Sequence, residues 1–177
     1  IGPYNFPFMV PMWFIPFALA TGNTIVVKPS SEDPISQVKI AELAEEAGFP
    51  DGAYNVVHGG RTVVGAMLDH KDVKGVCFVG STPVAKNVIY PRCGATGKRV
   101  VAQGGAKNFA LVMPDADIPN TIAACMTSFY GNAGQRCLAN ANLVVVGEGL
   151  SAKELDALYD KVADAFVTAA SRIVVGN

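Results

Sequence analysis

Lys74-Gly75-Val76-Cys77-Phe78-Val79-Gly80-Ser81-Thr82-Pro83-Val84-Ala85 reads as a strand, a tight turn and the opening of a helix. Residues 75–79 show no polar alternation, so both faces of this strand are expected to be covered. Gly80 permits a sharp exit, and Pro83 suits a helical first turn. A strand that feeds directly into a helix belongs to a parallel sheet, whose strands are joined by crossovers. Backbone N–H groups at the start of such a helix favour an anion, for example a dinucleotide pyrophosphate. Gly80 and Ser81 are the candidate contacts. The G-x-G-x-x-G spacing is absent, so the six residues 80–85 alone describe an ordinary strand-to-helix turn.

The same alternation continues on both sides. Short apolar runs at 24–27, 53–57, 100–102, 109–113 and 143–146 read as strands. Residues 34–47 read as a helix with Asp33 as N-cap, Gly48 as stop, and Ile35, Val38, Leu43 and Ala47 inward. Residues 62–68, 81–90 and 119–130 read as helices, and 151–170 as a long one with Leu155, Leu158, Val162 and Phe166 inward. The run 6–20 is broken by Pro7, Pro11 and Pro16 and reads as a buried, irregular helix. It falls short of the roughly 20 apolar residues a membrane span needs, and no basic segment precedes it as in a signal peptide. The expectation is an α/β fold with a parallel sheet. A second α/β layer begins near Gln103, giving parts at 1–102 and 103–177. Ile1 in place of Met, and the strand-like 173–175 near the end, read as the middle fragment of a longer chain.

Apolar residues make up 50% of the chain and charged residues 16%, against a usual value of about 25%. A chain with this much to bury is not intrinsically disordered. The net charge of −1 supplies no basic surplus for phosphates, which argues against a nucleic-acid partner. The thin polar complement predicts that apolar surface docks on another segment or subunit.

In parallel α/β sheets, ligands bind beyond the carboxyl ends of the strands. That directs attention to Lys28, His58-Gly59, Gly80-Ser81 and Gln103-Gly104-Gly105. Lys28 follows an apolar strand and can reach a ribose hydroxyl or a phosphate, or sit as a surface lysine. Cys77, Cys93, Cys125 and Cys137 contain no C-x-x-C pair, and only His58 and His70 accompany them, so neither a zinc site nor a disulfide scaffold fits. Free thiols point to a reducing compartment, the cytoplasm or, in a eukaryote, the mitochondrial matrix. The first three cysteines lie in apolar contexts and read as small buried hydrophobes. Cys137 differs, because Gly134-Gln135-Arg136 precedes it and places a cation beside the thiol. Thiolate is the reactive form of cysteine, and a nearby cation favours it.

Five blocks, in order, resemble the aldehyde dehydrogenase family over essentially the whole chain. They are Ile1-Gly2-Pro3-Tyr4-Asn5-Phe6-Pro7, Gly22-Asn23-Thr24-Ile25-Val26-Val27-Lys28-Pro29-Ser30, Phe78-Val79-Gly80-Ser81-Thr82, Gly104-Gly105-Ala106-Lys107-Asn108 and Gly134-Gln135-Arg136-Cys137. The resemblance implies that 1–102 belongs to a Rossmann-like NAD-binding domain and 103–177 to the start of a catalytic domain. It implies Cys137 as nucleophile, with the Asn5 amide and the Cys137 N–H holding the oxyanion. Tyr4, Lys28, Ser31, Gly59, Gly80, Ser81, Gly104 and Gly105 fall at cofactor-binding positions. A dimer or tetramer, a small-molecule aldehyde substrate and no membrane partner are also implied.

Two departures refine this. Gln103 stands where most members carry the glutamate that activates hydrolytic water. A carboxamide takes no proton near neutral pH, so the thioester is expected to await another thiol, coenzyme A. That is the logic of the CoA-acylating branch acting on malonate and methylmalonate semialdehydes. Asn55-Val56-Val57-His58-Gly59, Gly97-Lys98-Arg99-Val100 and Val112-Met113-Pro114-Asp115-Ala116 resemble that branch too. Its usual amide here is asparagine. Arg136 is similar to an arginine that holds the substrate carboxylate, and otherwise reads as structural. Ser31 stands where many NAD-preferring members carry an acidic residue, with Glu32 next. NAD is the first expectation, and NADP stays open.

Overall fold

Strand pairing in the computed structural model, which describes residues 1–176, is parallel throughout. The chain divides into two units, Ile1–Gly105 and Ala106–Asn177.

In the first unit a 3-10 turn at Pro11–Trp13 precedes α1 (Ile15–Ala20), β1 (Ile25–Val27), α2 (Ile35–Glu46), β2 (Tyr54–Val56), α3 (Arg61–Asp69) and β3 (Gly75–Val79). Then come α4 (Thr82–Val84), a π turn (Ala85–Ile89), α5 (Tyr90–Ala95) and β4 (Arg99–Gln103). β1 pairs with β2 and β3 with β4. Ile1-Gly2 lies between the two pairs. Ile1 donates to the Cys77 carbonyl at 2.8 Å and accepts from the Val79 N–H at 3.2 Å, and the Gly2 N–H donates to the Lys28 carbonyl at 3.0 Å. These bonds tie the strand pairs so that all four carboxyl ends share one edge. Leu68, Val76, Phe78, Ile89 and Cys93 form the core beneath β3. A cavity of about 720 Å³ lies against Ile25–Val27 of β1 and the first residues of β3, lined also by Ile1, Val10, Phe14 and Leu68.

The second unit contains β5 (Asn108–Val112), α6 (Ile118–Tyr130), β6 (Asn140–Val145) and α7 (Ala152–Ala170). Asp117 caps α6 by accepting from the Asn120 N–H. A capping box between Ser151 and Glu154 starts α7. Val112, Ile118, Ile122 and Val162 are its buried centre, joined by Leu158 and Phe166. Phe129 meets Phe166 edge-on at 5.3 Å.

Several expectations need correction. Residues 6–20 are not one helix: turns lead to the 3-10 turn, and only Ile15–Ala20 is α-helical. Three prolines in ten residues interrupt the hydrogen-bond ladder. Asp33 does not cap α2; Pro34 stands at the cap and no side chain bonds there. The inward face of α2 is also different. Ile35 is 68% exposed and Leu43 56%, whereas Gln37 is fully buried. Gln37 is drawn in by two hydrogen bonds, which turn the other side of the helix to the unit. The helix expected over 81–90 continues to Ala95 through the π turn, whose extra width precedes Pro91 and its missing N–H. Residues 173–175 pair with no strand among the described residues, and Val174 and Val175 are exposed. Phe17, Phe109, Leu111 and Leu138 are each more than half exposed, the uncovered apolar surface that the low charge predicted.

Candidate functional site

The carboxyl edge of the first unit carries the candidate cofactor residues. Lys28 follows β1 and is buried, and its Nζ donates to the carbonyls of Pro29 at 2.6 Å and Gly59 at 3.1 Å. Burial pulls its ammonium below the usual lysine range. Two of its three protons are thereby placed, leaving one for a hydroxyl or an anion. Gly59 has φ +149°, and a Cβ there would lie 2.3 Å from Val63 Cγ2. No larger residue fits.

β3 and β4 end together. The Gly80 N–H donates to the Gln103 carbonyl at 3.1 Å, and the Gly105 N–H to Thr82 Oγ1 at 2.9 Å. A Cβ on Gly104 would stand 2.5 Å from Thr82 Oγ1, and one on Gly80 2.5 Å from the Phe78 ring. Gly80, Ser81, Gln103, Gly104 and Gly105 are thus brought together, with Thr82 as the link. Gln103 is the exposed last residue of β4. Ser81 is exposed at the start of α4 and makes no capping bond. Ser31 is exposed beyond β1, and Tyr4 is 53% exposed.

Asn5 sits in a turn anchored on both sides. Gly2 is fixed to the end of β1. Past Asn5, the Phe6 carbonyl accepts from the Val10 N–H at 3.2 Å, and the Pro7 carbonyl accepts from Gln37 Nε2 at 2.6 Å. Gln37 Oε1 in turn accepts from the Tyr54 hydroxyl at 2.7 Å. Burial pushes that hydroxyl up to about 12, so it stays a donor.

In the second unit, α6 ends at Tyr130 and a tight loop delivers Cys137. Asn132 (φ 53°, ψ 40°) and Ala133 (φ 53°, ψ 30°) both adopt the left-handed region, and Gly134 follows at φ +73°. A Cβ on Gly134 would come within 3.0 Å of the Phe129 carbonyl, so the turn requires glycine. Arg136 folds back over Gly131, and its Nη1 donates to the Thr127 carbonyl at 3.3 Å in the last turn of α6. A cation there complements the helix dipole. This gives Arg136 a structural role through one of its five N–H groups. Cys137 lies in the turn closed by the Ala139 N–H on the Arg136 carbonyl at 3.0 Å, and is half-buried. Asn108 Nδ2 donates to the carbonyls of Cys137 at 2.8 Å and Ala139 at 3.0 Å. Burial pushes the thiols of Cys77, Cys93 and Cys125 up, which makes them poor nucleophiles.

Sequence reasoning missed Gln37, Tyr54 and Thr82 as supports, and took Asn108 only as part of a motif. The glycines pointed at the loops but not at these anchors, whose partners lie 17 to 31 residues along the chain.

The model of the aldehyde dehydrogenase family matches residues 1–177. The chain is 53% identical over 148 residues to malonate-semialdehyde dehydrogenase 1 of Geobacillus kaustophilus (strain HTA426), covering 84% of this chain and 30% of that protein. It is 46% identical over 177 residues to malonate-semialdehyde dehydrogenase 3 of the same organism, covering 100% and 34%. The crystal structure of methylmalonate-semialdehyde dehydrogenase from Oceanimonas doudoroffii superposes with a TM-score of 0.91 at 45% identity, covering 99% of this chain and 34% of that one. A structure from Sinorhizobium meliloti 1021 complexed with NAD gives 0.83 at 43%, covering 93% and 32%. The chain spans about a third of the length of these relatives. Order of motifs, parallel α/β architecture and these likenesses agree: the chain belongs to the aldehyde dehydrogenase family.

Proposed function

We propose that the complete protein oxidises malonate or methylmalonate semialdehyde to an acyl-CoA through a thioester on Cys137. The observation that carries this reading is the contrast among the thiols. Three are suppressed by burial, and the fourth stands in a loop built from left-handed residues. The names of the relatives support the substrate class, and the NAD-bound neighbour supports the cofactor.

NAD suits the residues present. Lys28 has a proton to spare for a ribose hydroxyl, and the Ser81 hydroxyl, which makes no capping bond, would meet the pyrophosphate. Gly59, Gly80, Gly104 and Gly105 keep the edge flat. Ser31 carries no charge against a 2′-phosphate, so NADP is the variant to assay beside NAD. When bound, NAD accepts the hydride that leaves the former aldehyde carbon. The Cys137 thiolate adds to that carbon, and the carbonyl π pair becomes an oxyanion held by Asn5 and the Cys137 N–H. Loss of hydride restores the carbonyl as a thioester. The coenzyme A thiolate then adds, and Cys137 departs as thiolate. Gln103 accepts no proton at neutral pH and leaves water unactivated. The remaining N–H groups of Arg136 are the fork for the substrate carboxylate. The complete protein is expected to be a dimer or tetramer, and the 177-residue chain alone to be inactive and to associate through its exposed apolar faces.

The rival reading is hydrolysis to a free acid. Turnover of the complete protein with several semialdehydes, with and without CoA, separates the two. Thioester should accumulate without CoA, and Gln103→Glu should raise CoA-free acid formation about 10²-fold. Acid formed at full rate by the unsubstituted protein without CoA refutes the acylating reading.

A further inference from the structure

We propose that Asn108 is a positioning residue for the nucleophile, acting through the backbone of the Cys137 turn. This inference rests on Cys137 being the nucleophile. Asn108 opens β5, and its carboxamide nitrogen spends both protons on two carbonyls, those of Cys137 and Ala139. The peptide after Cys137 is thereby fixed. The peptide before it is fixed as well, because the Arg136 carbonyl accepts from the Ala139 N–H. Among the described residues the Cys137 N–H donates to nothing, which leaves it for the oxyanion.

Arg136 and Asn132 brace the approach to the turn through the Thr127 and Gln135 carbonyls, and neither of these bonds reaches the peptide after Cys137. Leu138 is 71% exposed, so the tip is not held by burial. Ser128 bonds the Asn140 N–H and Oδ1, which secures only the start of β6. The register between β5 and β6 shifts between Asn108 and Phe109, so that Ala141 of β6 is left without a partner one residue beyond the Asn108–Asn140 pair. A carboxamide is the side chain this geometry calls for. Aspartate would set oxygen against two carbonyls, and serine would offer one proton on a shorter arm.

The test uses the complete protein and follows single-turnover acylation by NADH formation, CoA-dependent deacylation, and NAD affinity. Asn108→Asp should slow acylation about 10²-fold, the scale of a misplaced reacting group, while NAD affinity stays within twofold. Asn108→Ser should fall between, and it supplies the measurement if the aspartate variant does not fold. Acylation at the unsubstituted rate in a folded variant overturns the proposal. So does a uniform loss across acylation, NAD affinity and thermal stability, which marks a general structural role. Cys137→Ala run alongside keeps the two readings apart: turnover by that variant would defeat the nucleophile assignment itself, whatever Asn108 does.

Discussion

The turn bearing Asn5 and the turn bearing Cys137 are both held through backbone carbonyls by a side chain about thirty residues away, yet the holders differ in kind. Gln37 has no exposure, and its amide lies between the Pro7 carbonyl and the Tyr54 hydroxyl. Asn108 is half-buried and serves a loop whose tip residue faces solvent. In the first unit, left-handed backbone occurs only at glycine, whereas in the second Asn132 and Ala133 also adopt it. A fully buried polar group whose partners lose it costs stability directly. A half-exposed clamp on a loop governs geometry, because water can replace its bonds but not their directions. The first unit therefore places its group by stability, and the second by local constraint.

The largest expected effect breaks the comparison at its chemical end. Cys137→Ala should lower turnover of the complete protein by a factor on the order of 10⁴ or more. Its unfolding free energy should stay within about 0.5 kcal/mol of the parent, since a half-buried loop thiol carries little packing. A large stability loss in urea titration would show that the loop is part of the core after all.

Gln37→Leu tests the opposite end. It keeps the volume but leaves the Pro7 carbonyl and the Tyr54 hydroxyl without their partner. The expected loss is about 2 kcal/mol, read from the urea midpoint at unchanged slope. Tyr54→Phe removes only the outer bond and should cost about 1 kcal/mol. A pH series sharpens this pair. Burial pushes the folded hydroxyl up to about 12, above its unfolded value of 10.0. An acid whose folded value is raised stabilises the protein below the unfolded value, and that contribution is lost as pH climbs from about 10 to about 12. The parent should lose stability across that window more steeply than Tyr54→Phe. Parallel curves would show that the hydroxyl is not buried against Gln37.

These anchors mark the limit of what the amino-acid order discloses. β3 matches its predicted bounds because an apolar run is closed by Gly75 and Gly80, both local signals. α7 is legible from Ser151, Glu154 and the spacing of Leu158, Val162 and Phe166. The order of strand ends placed Lys28, Gly59, Ser81 and Gln103 on one edge. Gln37 was illegible because a buried amide breaks the apolar period instead of contributing to it, and its partners lie 30 and 17 residues away. The exposed Ile35 and Leu43 then drew the helix face to the wrong side. Asn108 was visible as a motif member, but its two acceptors depend on the folded path of the loop.

The smallest expected effect concerns the loop itself. Ala133 is exposed and sits at φ 53°, ψ 30°, where its Cβ crowds the following carbonyl. An L residue loses about 1–2 kcal/mol there relative to the right-handed region. Ala133→Gly removes that cost and forfeits no buried surface, but it also widens the unfolded ensemble by a part of the same size. The net should be a gain of about 0.5 kcal/mol in urea unfolding of the complete protein. Glycine also lets the loop sample other conformations, so acylation should slow while deacylation by CoA holds. A gain in stability with unchanged acylation would mean that the left-handed pair merely completes the turn. The geometry of Cys137 would then rest on Gly134 and on the bonds made by Asn108 and Arg136.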